Sequence, residues 1–230
     1  TSRGLVEDLA ERVGACLILE PAADGKLKVA RKGTSMYRFI VEGRAAHAGL
    51  EPEKGANALC ELSHLVLKME SLARPDLGTT VTPTVASAGT ATNVVPARAV
   101  LDIDGRATLP EEMERVDAAM RAIAPTVDGC RLVLEGGINR PPFHESMALD
   151  LYARAVAAAT AIGMEEPGSI AVGGGSDGNF TAAVGTRTLD GLGAVGAGAH
   201  AEGEYVVVSE MPRRAEMLTA LMADLLANPL

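Results

Sequence analysis

The sequence predicts an α/β domain interrupted by an inserted two-layer α+β domain, and three observations carry that reading. The run Ala15-Cys16-Leu17-Ile18-Leu19 is short, continuous and apolar and stops at Glu20-Pro21, as expected of a strand covered on both faces by helices. From residue 36 the elements fall in the order β, α, β, β, α, β, which suits an antiparallel sheet with both helices on one face. After Pro141-Pro142 the alternating helix and strand texture returns. The inserted domain is placed at residues 33–145, and the α/β domain at residues 1–32 and 146–230.

In chain order, Leu5, Leu9 and Val13 stand four apart with acids between them, giving an amphipathic helix with Ser2 as its cap. The apolar strand follows, and after a turn at Asp24-Gly25 the stretch Lys26-Leu27-Lys28-Val29-Ala30 alternates as a half-buried strand does, ending at Arg31-Lys32-Gly33. Further strands are expected at residues 36–41, 79–88, 99–106 and 130–134. A helix over residues 56–72 carries Leu59, Leu62, Leu65 and Val66 on one face, and another over 111–123 carries Met113, Val116, Met120 and Ile123. An Ala-rich helix (147–162), a short strand at Ile170-Ala171-Val172, a glycine-rich turn, a helix to residue 183 and a last helix (210–226) complete the chain. Few strands can be counted in the α/β part, which as a stand-alone doubly wound sheet is incomplete.

Composition narrows the function. The 230 residues carry a net charge of −9, which disfavours a general polyanion binder, and 47% apolar against 22% charged residues suffice for a core. Three Phe, three Tyr and no Trp offer neither a base-stacking platform nor a membrane aromatic belt. Nucleic acid and membrane therefore drop out as principal partners. Cys16, Cys60 and Cys130 are odd in number and widely spaced, which reads as reduced, buried thiols and slightly favours a cytoplasmic setting. Thr1-Ser2-Arg3-Gly4 opens no signal-peptide pattern, and the chain lacks an initiating Met.

Several residues can carry chemistry. Glu20 sits at the carboxyl end of a strand, the rim where ligands bind in open α/β sheets, or is simply solvated there. His200 ends a small-residue loop, Gly196-Ala197-Gly198-Ala199-His200, that admits close approach to a metal or ligand, or is a surface loop with an incidental His. His47, in Gly43-Arg44-Ala45-Ala46-His47-Ala48-Gly49, either donates to a developing oxyanion or satisfies a turn. Gly173-Gly174-Gly175-Ser176-Asp177-Gly178, between a strand and a helix, either holds an anion on backbone N–H groups or is a plain connection. It lacks a dinucleotide fingerprint and a P-loop Lys, so a substrate carboxylate suits it better than a phosphate. Arg106 closes Asp104-Gly105-Arg106, where a guanidinium fork complements a carboxylate or is solvated. No Gly-x-Ser-x-Gly elbow supports nucleophilic hydrolysis.

Leu19-Glu20-Pro21, Gly43 to Gly49, Asn93-Val94-Val95-Pro96, Asp104-Gly105-Arg106, Gly174-Gly175-Ser176-Asp177 and Ala199-His200 occur in the order found in one family. The chain resembles the co-catalytic zinc exopeptidases and deacylases that include glutamate carboxypeptidase, aminoacylase, acetylornithine deacetylase and succinyl-diaminopimelate desuccinylase, with the bacterial glutamate carboxypeptidases nearest. The resemblance implies a zinc-binding α/β domain with an inserted lid domain that dimerises. It implies zinc ligation by Glu20 and His200, in a site of two zinc ions in a complete enzyme. His47 and Asn93 match lid residues, the His reaching the partner subunit's site to stabilise the tetrahedral oxyanion. Arg106 matches the residue that grips the substrate's free carboxylate, with Gly175 and Ser176 lining the same pocket. The family's upstream His-x-Asp, bridging Asp and Glu-Glu motifs are not in this sequence. The chain therefore reads as the C-terminal portion of an amide hydrolase, inactive alone and weak in zinc. A deacylase of the same family and a non-catalytic dimerisation module are the alternatives.

Overall fold

The structure, a computed structural model, describes residues 2–199 and 201–230. In chain order the regular elements are α1 (Arg3–Ala10), β1 (Ala15–Leu17), β2 (Ala22–Ala23), β3 (Leu27–Arg31), β4 (Gly33–Glu42), α2 (Ala58–Glu70), β5 (Thr80–Ala88), β6 (Arg98–Ala107), α3 (Pro110–Arg121) and β7 (Arg131–Arg140). There follow α4 (Leu149–Ala161), β8 (Ser169–Val172), α5 (Gly178–Ala183), β9 (Arg187–Leu189), β10 (Val195–Ala197), β11 (Tyr205–Val206) and α6 (Met211–Ala227). The chain divides into two compact units, Gly33–Arg140 and Thr1–Lys32 with Pro141–Leu230. The inserted unit ends at residue 140 instead of 145. Phe143 exchanges both backbone hydrogen bonds with Arg31 and is 1% exposed in the core of the other unit, so residues 141–145 belong there.

In the inserted unit the strand order is β5-β6-β4-β7, antiparallel throughout. The βαββαβ sequence with this order is the ferredoxin-like arrangement. Alternation along β4 and β6 turns Tyr37, Phe39, Val41, Ala99, Leu101 and Ile103 to one face, where Leu62, Leu65 and Met69 of α2 and Val116 and Met120 of α3 meet them. Asn57 caps α2 by accepting from the N–H groups of Leu59 and Cys60. Leu59 lies off the buried stripe at 45% exposure, whereas Met69, near the other end of the helix, is fully buried on it. Glu61, buried on α2, accepts from the N–H groups of Thr126 and Val127 and so ties the α3–β7 loop to the helix.

The other unit is built from short parallel pairs. β1 pairs with β9, β3 with β8, and β2 with β10, while β10 and β11 form an antiparallel hairpin. Lys28 and Asp190 exchange both backbone hydrogen bonds, which joins β3 to the end of β9. The core gathers Leu27, Val29, Phe143, Leu151, Leu189 and Leu192 with Met217 and Leu221 of α6.

The expected coverage of the first strand on both faces is not met. Only Ala15–Leu17 is strand, its residues are half-buried, and β9 is its one partner among the described residues. Leu5, Leu9 and Val13, the expected apolar face of the first helix, are each more than half exposed. Met222, Leu225 and Leu226 of α6 line an apolar groove with Ala15 and Leu17. The cysteines also differ from expectation: Cys130 is buried and burial raises its thiol, Cys16 is half-buried, and Cys60 is exposed on α2. Among the described residues no helix is long and apolar enough to cross a membrane.

Candidate functional site

His47 and Asn93 come from loops far apart in sequence that a short backbone ladder brings together. Ala48 N–H donates to Asn93 O at 2.9 Å, Val95 N–H donates to Ala46 O at 2.9 Å, and His47 bridges to Val94. The first loop is anchored by a two-bond bridge between Arg44 and Ala56. A Cβ on Gly43 would stand 2.1 Å from Ala56 O, so glycine at that position permits the approach. His47 Nδ1 accepts from Gly49 N–H at 3.2 Å. The neutral ring therefore carries its proton on Nε2, which makes Nε2–H a donor suited to an anionic oxygen. Both side chains are exposed.

Arg106 lies at the opposite end of the same sheet. It pairs with Thr34 at the start of β4, whereas the His47 loop leaves from Glu42 at the end of that strand. The eight-residue separation along an extended strand corresponds to roughly 26 Å. Arg106 Nε and Nη2 each donate to Asp104 at 2.7 Å, a fork that fixes the guanidinium plane against the sheet.

Gly175 is exposed, and the turn that carries it is held from beneath. Arg31 makes a bidentate pair with Asp190 at 2.8 Å for both bonds, and its third nitrogen donates to Gly174 O at 2.8 Å. Ser176, expected to line a pocket, is 5% exposed and directs its hydroxyl inward, donating to Asp190 Oδ2 at 2.5 Å and accepting from Gly178 N–H. Asn179 Oδ1 accepts the Ser176 N–H. Two of the turn's N–H groups are thus consumed internally, and α5 has only six residues, so the anion cradle is narrower than the sequence suggests. Asp190 escapes a reading of the sequence because β9, which leads to it, spans only three residues. A charged residue directly after the apolar Leu189 was the available signal.

Glu20 is exposed, and its backbone is packed against Gly193, whose N–H donates to Glu20 O at 3.0 Å. A Cβ on Gly193 would stand 2.4 Å from Leu19 O. Two residues beyond Glu20, β2 joins β10. His200 itself lies outside the described residues. A structural zinc takes four donors, and a catalytic zinc three protein donors and a water. Among the described residues no three His, Cys, Asp or Glu side chains stand together to hold a metal ion. These residues alone do not fit zinc, although a carboxylate and an imidazole are both zinc donors.

Residues 29–129 match the peptidase dimerisation domain. Carboxypeptidase G2 of Pseudomonas sp. (strain RS-16) is 34% identical over 240 residues, covering 97% of this chain and 55% of that protein. One of the p-aminobenzoyl-glutamate hydrolase subunits of Escherichia coli (strain K12) is 42% identical over 74 residues, 32% of this chain and 17% of that one. The crystal structure of aminopeptidase PepT from Bacillus cereus ATCC 10987 superposes with a TM-score of 0.78 at 26% identity, covering 98% of this chain and 62% of that chain. The chain spans about half the length of the curated relatives it matches along most of its own length. The chain thus carries an M20 peptidase dimerisation domain, is homologous to carboxypeptidase G2 and shares its fold with PepT.

Proposed function

We propose that this chain is the C-terminal portion of a metal-dependent hydrolase that cleaves an amide bond next to a free carboxylate, and that it acts as a homodimer through the inserted unit. The observation that carries the reading is the placement of His47 and Arg106 at opposite ends of β4. One substrate cannot touch both residues of one chain across roughly 26 Å of strand. A pairing of two chains gives each site the Arg106 of one and the His47 of the other, as a twofold dimer does.

In this reading Asp104 holds the Arg106 fork in plane, and Arg106 receives the substrate carboxylate. Ser176 fixes from within the turn that presents Gly175. His47 donates Nε2–H to the oxygen that gains charge as the carbonyl is attacked, and Asn93 borders it from the paired loop. Glu20 and His200 would supply two metal donors, fewer than the three protein donors a catalytic zinc takes. A metal held there with further donors would supply activation of the attacking water. The chain by itself is expected to be inactive. The exposed Leu5 and Leu9 of α1 and Met222 and Leu226 of α6 support the same reading, because they offer apolar surface against which the rest of such a catalytic domain packs.

The similarity to p-aminobenzoyl-glutamate hydrolase makes p-aminobenzoyl-glutamate the first ligand to try. Calorimetry of the purified chain should show weak binding that Arg106→Ala abolishes and His47→Ala leaves in place. Equal loss in both variants would contradict the assignment. Hydrolysis of that ligand by the purified chain with zinc would overturn its reading as an inactive portion.

A further inference from the structure

Asn179 is fully buried, with 0% exposure, and makes three side-chain hydrogen bonds. Its Oδ1 accepts Ser176 N–H at 2.9 Å, and its Nδ2 donates to Lys32 O at 3.1 Å and Pro141 O at 2.8 Å. The last two carbonyls belong to the two residues at which the chain leaves for, and returns from, the inserted unit. The two connections are laced to each other one step inward, where Arg31 and Phe143 exchange backbone hydrogen bonds at 2.9 and 3.0 Å. Arg31 then reaches back to the turn through Gly174 O and to Asp190, which Ser176 also holds. One amide therefore touches the glycine turn and both connections at once. A purely structural buried amide would need partners, but not these three.

We propose that Asn179 is a positioning residue that makes the Gly173–Asp177 turn and both connections to the inserted unit one cooperative element. The conformation of the turn then sets how firmly the two connections are held at Lys32 and Pro141. The consequence for substrate rests on the proposed function: a carboxylate engaged at the turn stiffens the connections that carry Arg106 and His47. A ligand shifts such an equilibrium only through contacts that differ between its two states, and the turn supplies them.

Hydrogen exchange on the purified chain tests this, with Leu151→Ala as control, since Leu151 is 0% exposed in the same core and has no part in the network. Denaturant is adjusted so that both variants have equal global stability. In Asn179→Ala the amides of Ser176, Arg31 and Phe143 should exchange about tenfold faster than in the control, the scale of one lost hydrogen bond. The same pattern in both variants, or loosening at Ser176 alone, overturns the proposal. With saturating p-aminobenzoyl-glutamate, the unsubstituted chain should show slower exchange at Arg31 and Phe143, and Asn179→Ala should not. Slowing at Ser176 alone also overturns the coupling. No slowing at any of the three counts against the carboxylate reading, while the ligand-free comparison still decides the role of Asn179.

Discussion

Arg31 and Asp190 show how a charge pair organises its neighbourhood. Both are buried, at 6% and 0% exposure, and the guanidinium donates to both oxygens of Asp190 and to Gly174 O. Asp190→Ala strands a buried guanidinium and should cost about 3–5 kcal/mol in urea unfolding; a loss near that of an exposed pair, under about 1 kcal/mol, would contradict the account. Glu112 makes a pH prediction for the inserted unit. Arg115, followed by the Thr79 hydroxyl and the charge of Arg74, draws its carboxyl from 4.5 down to about 2 against the opposing effect of burial. A carboxyl depressed on folding stabilises above its unfolded pKa and loses that contribution as the pH falls through the folded one. Thermal melts should therefore show part of the stability lost between about pH 4.5 and 2, and Glu112→Gln should flatten that portion; an unchanged acid profile would refute the assignment.

At the level of elements, the legible parts were those with long periodic patterns. Residues 33–140 gave four strands and two helices in the right order because β4, β6 and α3 each repeat a buried position over ten or more residues. β9, β10 and β11 were missed, since two or three residues carry no period and glycine dominates their surroundings. α1 shows the converse: its period marks a helix, yet the apolar face it defines is exposed, because periodicity identifies a face and not what covers it. The site divides the same way. The motif around His47 marked a loop, but its partnership with Asn93 is a tertiary bridge that sequence spacing cannot give. The close approach at Gly43 makes that bridge testable. Gly43→Ala should force the Arg44–Ala56 bridge apart at a cost of about 1–3 kcal/mol, and backbone exchange should rise at Ala48 and Val95, whose N–H groups form the ladder. Unaltered protection there would show that the bridge does not place the loops.

For the whole molecule, the opposed ends of one sheet are the decisive geometry. On the proposed function, activity requires a dimer in which each site draws His47 from one protomer and Arg106 from its partner. Mixing two inactive forms, His47→Ala and Arg106→Ala, measures this directly. Exchange of protomers should restore about a quarter of the original turnover, since half the dimers are mixed and each mixed dimer has one intact site. No recovery, with exchange confirmed, would place both residues at one site within a single chain and contradict the account.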